Sequence, residues 1–344
     1  MKKSNTPKDM KIIDLALQGG GAHGSFTWGV LDALMEQEDL GIEAITATSA
    51  GAVNAAAFVS GYAKGGPEGA KQAMHDLWLK LSSASALLPW QETPFDRLFK
   101  NDGLHCSPTF MALDFITRMW SPYQTNVFDF NPLREVVEEV VDFEAVRQCN
   151  SIKLFVNATH VKTGKGRVFQ PHEITLDVIM ASACLPFLFK AVEVEGEAYW
   201  DGGYTGNPAL YPLFYQTKSE DVLIVQINPV RVDEVPKEAS EILDRVNDIS
   251  FNASLMPEIR AVTFVKKLIE QGKLPRDQYK NVNLHLIETQ QLMAHLGRSS
   301  KLNPDWDFIN HLRAAGNQMA KDWLRDNYQY VGVRSSIDVE NIYL

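Results

Sequence analysis

Cysteine is scarce: Cys106, Cys149 and Cys184 lie far apart, with no CxxC pair. An odd, sparse count excludes a disulfide framework and suits a reducing compartment. Positive charge is in deficit as well, 33 Lys and Arg against 43 Asp and Glu, a formal net charge of −10. The field that attracts a nucleic-acid backbone is missing, so nucleic acid is not an expected partner. The same deficit excludes simple electrostatic adhesion to anionic lipid and leaves apolar, transient contact with a membrane open. A membrane-spanning run is lacking too. Residues 44–63 carry no formal charge, but they hold Gly, Ser, Thr and Asn and no Leu, a poor composition for a span. The opening "MKKSNTPKDMKIIDLALQGGG" breaks with polar residues before an apolar core develops, so it fails as a signal peptide. A cytoplasmic protein, at most peripheral on a membrane, is expected. There is no internal repeat or low-complexity tract, and no ligand spacing that asks for a metal; no cofactor is expected.

What remains alternates between strand-like and helix-like segments. "KIIDLALQ" (11–18) is a buried-strand run that stops at three glycines. "SFTWGVLDALMEQED" (25–39) follows with Phe26, Val30, Leu31 and Leu34 at helical spacing. "AITATS" (44–49) reads as a second strand, "AGAVNAAAFVSGYA" as an Ala-rich helix, and "GPEGAKQAMHDLWLKL" (66–81) as an amphipathic helix opening near Pro67. From 82 to about 130 the pattern fades into an aromatic-rich stretch with Trp90, Phe95, Phe99, Phe110, Phe115 and Trp120. Such a stretch is a cap over a site or an ordered surface excursion. Beyond it, "SIKLFVNATHVKTGKGRVF" (151–169) predicts two strands about a turn, "AVEVEGEAYWDGGY" (191–204) alternates and then turns, and "DVLIVQINP" and "NVNLHLIE" are further strands. Residues 305–327 are helical in period, with Trp306, Ile309, Leu312, Met319 and Trp323 as an apolar stripe. The alternation predicts an α/β fold with a mostly parallel sheet.

Three places could carry chemistry. "GGGAHG", from Gly19, Gly20, Gly21 and Ala22 to His23 and Gly24, lies between a strand and a helix. Glycines there bring backbone amides close to an anion at a helix N-terminus, either a phosphate or the oxyanion of acyl transfer. "ATSAG" puts Ser49 on a strand-to-helix turn between Ala47 and Gly51, the design of a nucleophile elbow. "WDGGY" puts Asp201 at a strand end ahead of Gly202 and Gly203; by itself it reads as a turn. No histidine presents itself as a base: His285, His295 and His311 follow Asp201 outside any glycine-marked strand end, and His23 precedes the serine. Asp201 is left as the group to act on Ser49 directly.

Glycine loop, serine elbow and Asp-Gly-Gly, in this order, resemble the patatin-like phospholipase family, from about Leu15 to about Pro208, including "ASACLPFLFKAVEVEGEAYWDGGYTGNPAL" (181–210). The resemblance implies a three-layer α/β/α fold and a lipid acyl hydrolase with a Ser–Asp dyad. Ser49 would be the nucleophile, Asp201 its partner, and the amides of Gly19, Gly20, Gly21 and Ala22 the oxyanion hole. It implies one catalytic domain over 1–344, with its motifs in 12–210, a cap in 82–130 and the sheet and helices completed by 211–344. Its substrate would be a phospholipid, lysophospholipid or other acyl ester, and a homo-oligomer is compatible with it. Two departures stand out: His23 replaces the Arg or Lys that many glycine loops of the family carry, and Ala47 replaces the elbow's first glycine. An acyltransferase using the same dyad, and a nucleotide- or phosphate-binding protein using the loop Gly19 to Gly24, are the alternative readings.

Overall fold

The computed structural model describes residues 10–85, 119–288, 290–293, 296 and 298–343. Eight strands form one sheet: β1 (Lys11–Leu17), β2 (Leu40–Ala47), β3 (Lys153–His160), β4 (Gly166–Phe169), β5 (Val192–Val194), β6 (Glu197–Asp201), β7 (Asp221–Gln226) and β8 (Asn283–Glu288). Their order is β5-β6-β3-β2-β1-β7-β8, with β4 also paired to β3. The β3-β2-β1-β7-β8 run is parallel, and β4, β5 and β6 join antiparallel. The helices that matter here are α1 (Gly24–Leu34), α2 (Ala50–Ser85), α3 (Pro132–Val140), α4 (Leu176–Ser182), α5 (Ala239–Asn252), α6 (Leu255–Glu270) and α7 (Trp306–Asn327).

The central strands read as unbroken apolar runs because both of their faces are covered. Leu15, Leu17, Leu223 and Val225 face a core shared with α1, α2, α3 and α7. Their neighbours Ala16, Val222 and Ile224 face a second core with Leu255 and Ile259 of α6. Two cores on one sheet make the architecture three-layer α/β/α.

One expected helix boundary is met and one apolar stripe needs correction. The Ala-rich and amphipathic helices are two, as expected: the helical backbone of α2 is interrupted at Gly65 (φ −142°) and at Gly66, in the left-handed half of the map at φ 61°, and Pro67 opens the second helix at a position where its missing N–H costs little. The apolar stripe of α7 differs from the expected one. Met319 is exposed, and the buried line is Ile309, Leu312, Gly316, Ala320 and Trp323. Backbone contact is the reason. A Cβ on Gly316 would lie 2.0 Å from the Phe26 carbonyl oxygen, and one on Gly29 would lie 1.9 Å from that of Arg313. The two helices touch main chain to main chain, which a pattern of large apolar residues cannot reveal. Most of the expected cap, including Trp90, Phe95, Phe99, Phe110 and Phe115, lies outside the described residues, as does His295.

The register of β3 positions the site. Val156 pairs with Ala47 of β2 and with Phe169 of β4, while Ala158 pairs with Arg167 of β4 and Asp201 of β6. With β4 along one edge of β3, β2 and β6 share the other, and β6 takes over where β2 ends. The C-terminal ends of these two strands therefore face each other.

Candidate active site

β1 lies between β2 and β7, where the strand order reverses, the place at which parallel sheets build their crevices. The glycine loop leaves β1 there and Ser49 leaves β2 beside it. Ser49 sits in the left-handed region at φ 54°, a conformation that a non-glycine residue holds only when its surroundings impose it. Here its amide donates to Ser182 Oγ at 2.9 Å, and Ser182 Oγ donates to the Asn157 carbonyl at 2.7 Å. The Ser49 carbonyl accepts from Val53 N–H at 3.0 Å, the first turn of α2. Gly51 is required by crowding, since a Cβ there would meet the Leu17 and Gln18 carbonyl oxygens at 2.5 and 2.7 Å. Ala47 needs no such allowance. It is the last residue of β2, paired with Leu17 and Val156, and its methyl group is part of the core beneath the elbow. The close approach to the serine comes from Gly19 instead, where a Cβ would sit 2.5 Å from Ser49 Cβ.

Asp201 ends β6, fully buried. Its amide donates to the Cys184 carbonyl at 2.8 Å, and its Oδ1 accepts from Gly203 N–H at 2.7 Å. Oδ2 is buried with no partner at hydrogen-bond geometry. Burial pushes the carboxyl up to about 6, opposed by the Ser49 hydroxyl and the Gly203 amide. The two glycines after it are demanded by space: a Cβ at Gly202 would lie 2.1 Å from the Asn157 carbonyl oxygen, and one at Gly203 would lie 2.4 Å from Phe251. The serine and the aspartate are thus brought to one point from separate strand ends.

The glycine loop is braced from three sides. Gly19 N–H donates to Asn207 Oδ1 at 2.7 Å, and the Gly19 carbonyl accepts from Asn228 Nδ2 at 2.7 Å. Gly19 therefore has no free amide for a substrate oxygen. Among the described residues, the amides of Gly20, Gly21 and Ala22 find no acceptor within the protein. Gln18 Oε1 accepts from the amides of Ile227 and Asn228, which fixes the end of β1 against the segment after β7. His23 is buried with Nε2 at 2.7 Å from Ser300 Oγ. Burial and the nearby Lys301 push it down to about 3, so the ring is neutral and supplies no positive charge. The cation near the loop is Lys301, whose Nζ donates to Asn228 Oδ1 at 2.9 Å and pairs with Asp248 at 3.2 Å.

Residue-by-residue reading of the sequence missed Asn157, Ser182, Asn207, Asn228 and Lys301. A polar residue inside an apolar strand, as in "LFVNATH", was the available signal for Asn157. Asn157 Nδ2 donates to the Gly202 and Gly206 carbonyls at 2.8 and 3.0 Å, so this one side chain holds the loop that follows Asp201. His285 is engaged elsewhere. It lies between Asp221 Oδ1 and Ser336 Oγ, both at 2.9 Å, with Asp221 at the N-terminal end of β7, away from the strand ends that carry Ser49. Among the described residues no histidine hydrogen-bonds Ser49 or Asp201.

An α/β/α sheet with a serine elbow, an adjoining glycine loop and a buried aspartate at the opposing strand end has the layout of an acyl hydrolase. The Patatin-like phospholipase family model matches residues 15–214, and the chain belongs to this family of lipid acyl hydrolases. No curated protein matches the chain. Among solved structures it is similar to VipD from Legionella pneumophila, at 14% identity and TM-score 0.36, covering 90% of this chain and 67% of that one. It is also similar to the type III effector protein ExoU, at 16% identity and TM-score 0.35, covering 93% of this chain and 54% of that one. Full-length ExoU from Pseudomonas aeruginosa, in complex with full-length SpcU, gives 13% identity and TM-score 0.32, covering 92% and 54%. The chain thus spans about two thirds of VipD and about half of ExoU. Among the described residues no helix is long and apolar enough to cross a membrane.

Proposed function

We propose that the chain is a serine hydrolase of lipid acyl esters, formed as one catalytic domain over 1–344, with Ser49 as nucleophile and Asp201 as its base. The observation that carries this reading is a fully buried Asp201 carboxyl, with one oxygen unpartnered, at the strand end facing a serine held in the left-handed conformation; burial pushes that carboxyl up to about 6. A carboxylate with that pKa is a better proton acceptor near neutrality than an ordinary aspartate. Hydrogen bonds between a nucleophile and its base are often loose at rest and tighten with substrate.

Asp201 takes the Ser49 proton as Oγ attacks the ester carbonyl carbon, and the carbonyl oxygen becomes an oxyanion. The amides of Gly20, Gly21 and Ala22 are the donors for that charge; one such donor is commonly worth about 10²–10³-fold in rate. Collapse of the intermediate breaks the carbon–oxygen bond, and Asp201 returns its proton to the departing alcohol. Water then attacks the acyl-enzyme, gives a proton to Asp201, and releases the acid as Ser49 recovers it. The tight packing of Gly19 against Ser49 supports this reading over a phosphate cradle, which has no need of the serine.

The experiment is covalent labelling by a fluorophosphonate, followed by peptide mapping. Modification is expected at Ser49, with a rate that is level above pH 7 and falls as pH drops through about 6, because protonated Asp201 cannot accept the proton. Modification elsewhere, or a rate flat from pH 5 to about 8, would refute the dyad. Ser182→Ala, which removes the acceptor of the Ser49 amide, is expected to lower kcat on a soluble ester by on the order of 10²-fold through misplacement of Oγ. KM should change little, and an unchanged kcat would show that α2 alone holds the elbow.

A further inference from the structure

Ser182 and Cys184, which touch Ser49 and Asp201, open a chain segment whose outer surface is apolar. Phe187 lies in this segment and is 67% exposed. Beside it runs the stretch 119–131, where Phe128 is 96% exposed, Val127 65% and Tyr123 61%, with Trp120 and Phe130 also turned outward. The two segments are stitched together. Ala191 N–H donates to Tyr123 Oη at 3.3 Å, Lys190 Nζ donates to the Val127 carbonyl at 3.0 Å, and Arg134 of α3 pairs with Asp177 of α4 at 2.6 Å. The aromatic surface is therefore fixed to the rim of the candidate active site.

Several of its polar groups are closed on one another. The amides of Gln124 and Thr125 end on the Ser121 carbonyl, that of Asn126 on Pro122, and that of Asp129 on Asn126. Asn126 bonds Phe130 in both directions, Oδ1 accepting from its amide at 2.8 Å and Nδ2 donating to its carbonyl at 2.9 Å. Across 119–131 and 182–191 the only charged residues are Asp129 and Lys190, in a protein of net charge −10. A protein-binding surface offers hydrogen bonds, about one per 100–200 Å². This one closes much of its turn backbone on itself and offers rings. That combination suits the lipid interface, where an unpaired backbone group is costly and aromatic rings settle at the head-group level.

We propose that this surface docks on a zwitterionic phospholipid bilayer, through Phe128 and Phe187 with Tyr123, Val127 and Trp120 around them, and sets the candidate active site against the membrane. The inference rests on the reading of the chain as a lipid acyl hydrolase and adds the place where its substrate is met. Attraction is apolar, because the protein's net charge repels anionic lipid.

The test is co-sedimentation of the full chain with phosphatidylcholine vesicles, alongside turnover of a soluble short-chain ester. The wild type is expected to sediment with the vesicles. Phe128→Ser and Phe187→Ser should each lower the partition coefficient about tenfold, the scale of an apolar side chain lost from a buried position, while Phe128→Leu retains binding. The serine variants should keep their melting temperature and their turnover of the soluble ester, and lose turnover of vesicle ester. Wild type that stays in the supernatant, or variants that sediment like wild type, would overturn the proposal. So would binding that rises with phosphatidylglycerol and vanishes in salt, or a dimer that the same variants dissociate without any vesicle binding. Vesicle binding by a wild type that neither turns over the soluble ester nor labels at Ser49 would leave the docking surface standing and remove the hydrolase reading.

Discussion

Ser49→Ala and Asp201→Asn are each expected to lower kcat on a chromogenic ester by on the order of 10⁶-fold, the scale seen when a hydrolase loses its nucleophile or its base. The two losses should not add, because a base without a nucleophile and a nucleophile without a base fail at the same step. Stability should move the other way. Asp201 has a folded-state pKa raised from 3.8 to about 6. A carboxyl so raised favours the folded state below its unfolded value, and that contribution is lost as pH rises through the folded one. At pH 8 the wild type therefore holds a buried carboxylate at a cost, and Asp201→Asn is expected to melt higher, by on the order of 1–3 kcal/mol of stability. The gain should disappear as the pH approaches 4. An Asn variant that retains activity, or that melts lower than wild type at pH 8 and higher at pH 4, contradicts the assignment of Asp201 as the buried base.

The second large effect concerns the crossing of α1 and α7. Gly29→Ala places a methyl group 1.9 Å from the Arg313 carbonyl oxygen, and Gly316→Ala places one 2.0 Å from that of Phe26. Neither obstacle is a side chain that can rotate away, so the helices must separate and unpack Trp28, Ile309, Leu312 and Trp323 from one core. Each variant is expected to lose about 3 kcal/mol or more, at the upper end of overpacking costs, which for a large domain lowers the melting temperature by roughly 2–4 °C per kcal/mol. Met319→Ala, on the exposed side of α7, should stay within about 0.5 kcal/mol of wild type. A Gly29→Ala protein that melts with the wild type would mean that the two backbones are not in contact.

Much of this fold was legible because it rests on local signals. "KIIDLAL" into three glycines and "ITATS" into an Ala-rich helix already spell strand, turn and helix, and both turns lie at the same end of a parallel sheet. The candidate dyad was legible for a similar reason, since "WDGGY" ends an alternating strand. What holds these pieces together was not. Ser49 to Ser182, Gly19 to Asn207 and Gly19 to Asn228 are contacts between distant parts of the chain, and single Ser and Asn residues have no periodicity to betray them. The full neutrality of His23, which stands where many loops of the family carry Arg or Lys, was out of reach of the sequence because it depends on burial against Ser300 and on the charge of Lys301, both supplied by a segment far downstream. Ala47 looked like a defect in an elbow until its methyl group was found in the core, with Gly19 making the close approach instead.

The shared edge of β3 has a consequence for the order of events during synthesis. The glycine loop and Ser49 follow β1 and β2, which are made well before β6, and the edge position that Asp201 occupies stays open until β6 has been synthesised and has paired with Ala158. A nascent chain carrying only the elbow has Ser49 without the proposed proton acceptor. Under the proposed function, hydrolytic capacity therefore waits on the docking of one short antiparallel strand.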